Sequence, residues 1–178
     1  MPMRRLIAAG AFALGAVAAL GAPAAIAAPP SAPAFTLNLL DGGAALDSRS
    51  FIGKKVVVVR FQASWCKVCV EEAPAIERVW VKYRAADVEV VGVQVEDTEA
   101  DARRFLKKSG ATYPAGVDPK LRIANRFAVK GTPYTVVVNK RGEIVARLAG
   151  RTGEAKLARV LDPLVAPPPK KKPPARLQ

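Results

Sequence analysis

The chain has 178 residues, of which 51% are hydrophobic and 24% charged, and its formal net charge is +13. This length and composition fit one globular domain with terminal tails rather than several domains. The chain contains two cysteines and no histidine, which leaves a four-ligand zinc site without half of its ligands.

The N-terminal segment, residues 1–27, has the pattern of a cleavable secretory signal. Arg4 and Arg5 precede an apolar stretch over residues 6–20, and small residues follow as far as Ala27. The alternative is a retained membrane anchor, but the apolar stretch is shorter than the roughly 20 residues that cross a bilayer. The pattern predicts export to the periplasm, an oxidising compartment in which disulfides persist.

Residues 28–34 read as a Pro/Ala-rich linker, residues 35–165 as the folded domain, and residues 166–178 as a tail. The tail contains proline and lysine without apolar periodicity, which predicts an extended, disordered segment. Without the two arginines of the signal and the four cations of the tail, residues 28–165 carry a formal +7. This excess favours weak contact of the tail with a membrane surface or with acidic partners, and the alternative is a solvated tail. Nucleic acid is not expected as a partner, because aromatic residues are not interleaved with the basic ones.

The domain opens with a predicted hairpin. Residues 35–39 and 44–46 flank an Asp-Gly-Gly turn at residues 41–43. Ser48 is expected to cap a brief helical turn. Residues 56–61 then form a near-continuous apolar run, which is typical of a strand buried on both faces.

Helix and strand patterns alternate along the rest of the domain. Apolar residues recur every three or four positions in the helices, while the strands are apolar runs. In chain order, the predicted elements are a helix over residues 66–84 kinked at Pro74, a strand over 88–95, a helix from a cap at Asp97 or Thr98 to Ser109, a short helix over 121–127, strands over 134–138 and 143–148, and a helix over 154–164. The strand-helix-strand order predicts parallel neighbours, and the short turn at residues 139–142 predicts an antiparallel pair. The expected fold class is α/β, with a central mixed sheet flanked by helices.

Both cysteines lie in Trp65-Cys66-Lys67-Val68-Cys69, directly after the first long strand. At the start of a helix, the Cys66 sulfur lies beside unpaired backbone amides and the positive end of the helix dipole. Both favour thiolate and lower the thiol pKa from about 8.5 into a range of roughly 3.5 to 7.5. Cys66 is therefore the predicted nucleophile, and Cys69, on the same helical face, the resolving thiol. Lys67 adds a nearby positive charge, or is an ordinary solvated helix residue.

A purely structural disulfide is the alternative for this pair. A four-residue ring gains only roughly 2 kcal/mol of stability, against about 3 kcal/mol for fifteen residues. Helical Cβ atoms three positions apart are about 5 to 6 Å from each other, whereas a relaxed disulfide prefers about 3.8 Å. A labile bond of this kind suits exchange better than structural support. The chemistry therefore needs no cofactor other than the Cys66-Cys69 pair itself, and no metal.

Residues 61–74 resemble the Phe-Trp-Ala-x-Trp-Cys-x-x-Cys-x-x-Glu-x-Pro signature of exported thiol-disulfide oxidoreductases of the TlpA/ResA type, in the thioredoxin superfamily. The resemblance covers residues 35–164 and includes the Asp-Gly hairpin and Gly131-Thr132-Pro133. It implies a thioredoxin-like fold with an N-terminal β-hairpin extension.

The resemblance also implies roles for four residues around the cysteines. Glu72 matches a glutamate that tunes the active-site thiols, since a negative charge near Cys69 raises its pKa. The alternative is a carboxylate that stabilises the first turns of a helix. Pro133 matches a cis-proline that faces the cysteines, and Thr132 would offer main-chain hydrogen bonds to an extended substrate. The alternative for Pro133 is a trans proline that starts an edge strand. Trp65 would flank the thiol with apolar surface.

Three positions depart from the pattern. Arg60 stands where thioredoxins keep a buried acid, so the proton relay of that acid has no counterpart. A buried unpaired cation is costly, so Arg60 is expected to find a carboxylate or to reach solvent. Val68 replaces a frequent proline between the cysteines, and Gln62 replaces an aromatic residue.

These observations predict an exported, monomeric thiol-disulfide oxidoreductase. By resemblance it reduces protein disulfides, for example in cytochrome c maturation or periplasmic thiol maintenance, with electrons from a membrane thiol carrier. Its partners would be the thiols or disulfides of exported proteins. The direction remains open from the residues alone, because a stabilised thiolate makes a stronger oxidant.

Two other functions are compatible with a thiol pair. A peroxiredoxin-like thiol peroxidase would carry threonine or serine three residues before its cysteine, where this chain has Ala63. A copper or haem chaperone would use the thiols as soft ligands, but no histidine and no nearby methionine accompany them.

Overall fold

The computed structural model describes residues 28–165, so the predicted signal segment 1–27 and tail 166–178 lie outside the described residues. The strands are β1 (Thr36–Leu37), β2 (Leu46–Asp47), β3 (Val56–Gln62), β4 (Val88–Val95), β5 (Ala115–Asp118), β6 (Tyr134–Val138) and β7 (Ile144–Ala149). The α-helices are α1 (Lys67–Tyr83), α2 (Glu99–Ser109), α3 (Arg122–Arg126) and α4 (Gly153–Val165). None of the helices in this part of the chain combines the length and apolarity needed to cross a bilayer.

Five strands form a central mixed sheet in the order β5-β4-β3-β6-β7. The central strand β3 is parallel to β4 and antiparallel to β6. β5 is parallel to β4, and β7 is antiparallel to β6. Every residue of β3 and β4 is buried, as expected for apolar strands covered on both faces. The predicted α/β fold with a mixed sheet is confirmed.

Residues of β3 alternate between two apolar layers, because successive side chains of a strand point to opposite faces. Val58 packs with Ile76 of α1 and Leu157 of α4 on one face. Val59 packs in the layer of Phe127 on the other face. By the same alternation, the Arg60 side chain points to the face of the sheet that α1 covers. A charged side chain is therefore buried beside α1.

The predicted N-terminal hairpin forms a separate two-stranded antiparallel sheet of β1 and β2. Residues 30–32, within the predicted linker, hydrogen-bond to the turn and strand start around residues 142–144. The helical turn after β2 is a 3-10 turn over Ser48–Phe51, and its capping residue is Asp47 rather than Ser48. The Asp47 carboxylate accepts the Arg49 N–H, whereas the Ser48 hydroxyl accepts the Phe35 N–H at 2.8 Å.

Strand β5 was not predicted, because its four residues contain no apolar run. It forms through pairing with β4 and through close contact with the hairpin. At Gly116 a Cβ atom would collide with the backbone oxygen of Asn38 and lie 2.6 Å from Leu37 Cγ. Only glycine lets the hairpin approach this strand so closely.

Candidate active site

Cys66 and Cys69 lie at the start of α1 and are joined by a disulfide, with their Cα atoms 5.2 Å apart. Cys66 is the N-cap, so α1 begins one residue later than predicted. Its sulfur accepts a hydrogen bond from the Cys69 N–H at 3.2 Å. Cys66 is 7% exposed, whereas Cys69 is fully buried. Cys66 is therefore the more accessible of the two cysteines.

The loop before Cys66 is held by the carboxylate of Asp97, which follows β4. One oxygen of Asp97 accepts the Ser64 N–H at 2.8 Å, and the other accepts the Ser64 hydroxyl at 2.7 Å. Asp97 is 5% exposed, so these bonds are largely shielded from water. The carboxylate fixes the chain two residues before the sulfur.

A groove of about 230 Å³ lies beside the cysteine loop. Trp65 and Thr132, which are far apart in sequence, both line it. Trp65 is 60% exposed, which is unusual for so large an apolar side chain. The Thr132-Pro133 peptide bond is cis, as the resemblance implied. The other lining residues are Val95, Glu96, Leu121, Ala124, Asn125, Val129, Lys130 and Gly131.

Glu72 lies one turn after Cys69 on the buried face of α1, and it is 3% exposed. Its Oε2 accepts a hydrogen bond from Nη2 of the fully buried Arg60 at 2.9 Å. Its Oε1 accepts the N–H groups of Thr152 and Gly153, at 2.6 and 2.7 Å. Arg60 thus finds a carboxylate, one of the two outcomes expected for it. The carboxylate also caps the start of α4.

Lys67 and Glu71 occupy the exposed side of the same helix start. Arg151 forms an ion pair with Glu71, with 2.5 Å between Nη2 and Oε2. The hydrogen bond from Arg151 lowers the pKa of Glu71, and the positive charge of Lys67 contributes in the same direction. The charge of Lys67 thus acts on the neighbouring carboxylate of Glu71.

Gln62 is fully buried and donates a hydrogen bond to the Tyr113 hydroxyl at 3.2 Å. Burial raises the pKa of Tyr113 to about 12, so its hydroxyl is neutral at physiological pH. The replacement of an aromatic residue by Gln62 therefore places a polar pair inside the domain. Within residues 28–165, no group of three or more acidic, cysteine or histidine side chains is placed to hold a metal ion.

The structure brings together most of the residues singled out from the sequence. Cys66 and Cys69 form one bond, and Trp65 and Thr132 line one groove. The sequence reasoning did not identify Asp97 as the anchor of the cysteine loop, since it considered this residue only as a helix cap. The cap of α2 is instead Thr98. The contribution of backbone amides near residue 152 to the Glu72 site was also missed, because no side-chain pattern marks it.

Comparison with known proteins agrees with this geometry. Residues 30–147 match the AhpC/TSA family. The chain is 33% identical to the thiol:disulfide interchange protein HelX of Rhodobacter capsulatus over 136 residues, which are 76% of this chain and 75% of that protein. It is 26% identical to the thiol-disulfide oxidoreductase ResA of Bacillus cereus over 126 residues, which are 71% of this chain and 72% of that protein.

A solved structure shows the same fold. The crystal structure of a thiol:disulfide interchange protein of the thioredoxin family from Chlorobium tepidum superposes with a TM-score of 0.72 at 24% identity. The superposition covers 80% of this chain and all of that one. The predicted thioredoxin-like fold is thereby confirmed. The chain belongs to the AhpC/TSA family and is a TlpA/ResA-like thiol-disulfide oxidoreductase of the thioredoxin superfamily.

Proposed function

We propose that the protein is exported and reduces disulfides of other exported proteins, with Cys66 as the nucleophile and Cys69 as the resolving thiol. The position of Cys66 carries this assignment. Its sulfur is the N-cap of a 17-residue helix and receives a backbone N–H hydrogen bond, and Cys66 is the more accessible residue of the pair. Helix position and hydrogen bonding both favour thiolate in the reduced form.

The proposed reaction is a two-step exchange. The Cys66 thiolate attacks one sulfur of a substrate disulfide, forms a mixed disulfide and releases the other substrate sulfur as a thiolate. The Cys69 thiol then loses its proton and attacks the Cys66 sulfur, which releases the second substrate thiolate. The substrate gains two electrons, and its two thiolates take up the proton lost by Cys69 and one proton from solvent. The enzyme is left with the Cys66-Cys69 disulfide.

We assign substrate binding to Trp65, Thr132 and Pro133. Trp65 and Thr132 line the groove, and Pro133 follows Thr132 at the cis peptide bond. The indole of Trp65 offers apolar surface beside the nucleophile, and the groove has room for a few side chains of an extended segment. Main-chain hydrogen bonds at Thr132 would hold such a segment with little dependence on its sequence. Lys67 and Glu72 would tune the thiols from the two sides of the helix start.

The partners we propose follow from the family. The names of the two relatives describe thiol-disulfide interchange and oxidoreduction, which require a partner with a thiol or a disulfide. By resemblance to the TlpA/ResA type, apocytochrome c is a substrate class, and a membrane thiol carrier supplies electrons to a monomeric enzyme. The basic residues of the tail would contribute at most weak contact with an anionic membrane surface.

Covalent trapping in the native host tests the roles of the two cysteines. A Cys69→Ser variant should accumulate mixed disulfides through Cys66, because the resolving step is blocked. Cys66→Ser is the matched control, and it should trap far less because Cys69 is fully buried. Equal trapping by the two variants, or none by either while the wild type exchanges disulfides, would contradict the assignment.

Further measurements test direction, location and the competing peroxidase activity. Equilibration of the wild-type couple with glutathione gives its potential, and a value near −120 mV rather than near −270 mV would favour oxidation over the proposed reduction. Cell fractionation should recover the protein with periplasmic markers. Peroxide consumption without a protein substrate would favour the peroxidase alternative instead.

A further inference from the structure

Among the salt bridges within residues 28–165, the one between Arg60 and Glu72 has both side chains buried. Arg60 has no exposed surface, and Glu72 is 3% exposed. Burial removes the hydration of both ions, and the free-energy cost of this desolvation is offset only when the pair and its hydrogen bonds have good geometry. Arg60 Nη2 contacts Glu72, Nη1 donates to Thr135 Oγ1 at 3.0 Å, and Nε has no partner among residues 28–165. Arg60 therefore links its own strand β3 to α1 through Glu72 and to β6 through Thr135.

Glu72 is close enough to the cysteines for its charge to act on them. It follows Cys69 by three positions on the same buried helical face, where Cβ atoms are about 5 to 6 Å apart. Water screens charges poorly in such a buried place. A lone carboxylate here would disfavour thiolate and stabilise the disulfide. A lone guanidinium would do the opposite.

The contacts of Glu72 leave it poorly suited to take the Cys69 proton. One oxygen is bound to Arg60 and the other to two backbone N–H groups, all of which act as donors. A proton on Oε1 would displace one of its two backbone hydrogen bonds, and a proton on Oε2 would weaken the charge-assisted bond to Arg60. The carboxylate therefore acts on the thiols mainly through its charge, and that charge is counterbalanced at 2.9 Å.

The other charged or titratable groups around this pair are few. On α1, Glu71 and Lys67 are exposed, and Glu71 is paired with Arg151, which precedes α4. The Glu72 charge also contributes to raising the pKa of Arg151, after its larger hydrogen bond to Glu71. Tyr113, before β5, lies within the field of Arg60 and is neutral below a pKa of about 12. From β6, the contact is the neutral Thr135 hydroxyl.

We propose that Arg60 is a positioning residue that sets the redox potential of the Cys66-Cys69 couple by fixing Glu72 and cancelling its charge. The inference rests on the proposed exchange between these cysteines. It assigns Arg60 a function in place of the acid that thioredoxins have at this position. The thiols experience a near-neutral ion pair rather than a single buried charge.

Four variants of the full chain test this proposal: Arg60→Met, Arg60→Lys, Glu72→Gln and the double variant Arg60→Met/Glu72→Gln. The readouts are the thiol-disulfide equilibrium constant with glutathione and the pH dependence of Cys66 alkylation in the reduced protein. Arg60→Met should shift the equilibrium about tenfold toward the disulfide, equivalent to about 30 mV, and raise the pKa of Cys66. Glu72→Gln should shift both in the opposite direction.

The double variant distinguishes charge balance from a role of Glu72 alone. It contains no unpaired buried charge, so its equilibrium constant should lie within about threefold of the wild type. If Glu72 acted alone, the double variant would behave like Glu72→Gln, and the proposal would be overturned. Arg60→Lys keeps the charge but loses the planar donor geometry, so it should lose stability while nearly keeping the wild-type potential.

A purely structural role would give a different pattern. The variants would then unfold at lower urea concentrations without opposite shifts of the equilibrium constant. If Arg60→Met does not fold, the comparison of Glu72→Gln with the double variant still decides, since equal values refute the proposal. Glutathione serves as the partner throughout, so the result is independent of whether trapping identifies a physiological substrate. A failure of the proposed function is thereby distinguished from a failure of this inference.

Discussion

Replacing Asp97 by alanine should destabilise the domain by about 3 kcal/mol, because Asp97 holds the loop before Cys66 through two charge-assisted bonds. Its carboxylate accepts the Ser64 N–H at 2.8 Å and the Ser64 hydroxyl at 2.7 Å. Hydrogen bonds to charged groups contribute about 1.5 to 3 kcal/mol each. Ser64 is only half-buried, so water replaces part of what is lost, and the lower bound of about 1.5 kcal/mol per bond applies.

Urea unfolding of the oxidised protein, followed by circular dichroism, measures this loss. Ser64→Ala is the matched control, since it removes only the hydroxyl bond and should cost about 1.5 kcal/mol. In a double-mutant cycle, Asp97→Ala and Ser64→Ala should be non-additive because they share one bond. A loss below about 1 kcal/mol for Asp97→Ala, with an unchanged denaturant slope, would refute the view that this carboxylate anchors the loop.

Two further variants test the packing of the domain. Gly116→Ala should lower the free energy of unfolding by about 1 to 3 kcal/mol, since its Cβ would collide with Asn38. Gly131→Ala is the control and should cost less, because there is open space around Gly131. Equal losses of stability would contradict the close approach of hairpin and sheet. Tyr113→Phe should remove a loss of stability at high pH: the folded pKa of Tyr113 is about 12 against 10 unfolded, so its contribution is complete below about pH 10 and is lost as pH rises toward 12. The free energy of unfolding should decrease between about pH 9 and pH 12, and this decrease should be about 2 to 3 kcal/mol smaller in the variant than in the wild type. An equal decrease in both proteins would contradict the assignment.

The sequence predicted the fold well where one strand or helix carries its own pattern. The ranges of β4 and β6 were predicted to the residue, because apolar runs without interruption are typical of buried strands. Gly110 ends α2 in a left-handed conformation, as its position predicted. Strand β5 lacks such a pattern, because it forms only through pairing with β4 and contact with the hairpin. Local sequence therefore contains too little information to predict it.

In the candidate site, too, the sequence predicted the local features but not those that depend on contacts between distant residues. The spacing of Cys66 and Cys69 is local, so their shared helical face followed from position alone. The three partners of Glu72 come from two other parts of the chain, β3 and the start of α4, and two of them are backbone amides that any residue could supply. Asp97 was noticed only as a helix cap, because its contact with Ser64 depends on how the end of β4 meets the cysteine loop.

Polar bonds join α1 to α4, or to the residues just before it, near both ends of α4. Glu71 and Glu72 contact the residues at the start of α4, and Tyr83, the last residue of α1, donates to Asp162 near the end of α4 at 2.5 Å. The two helices therefore run in the same direction, with their ends aligned. They should open as one cooperative unit in native-state hydrogen exchange. The cysteines then lie at the start of a pair of helices that is stable as a unit, so sulfur exchange there need not disturb the rest of the molecule.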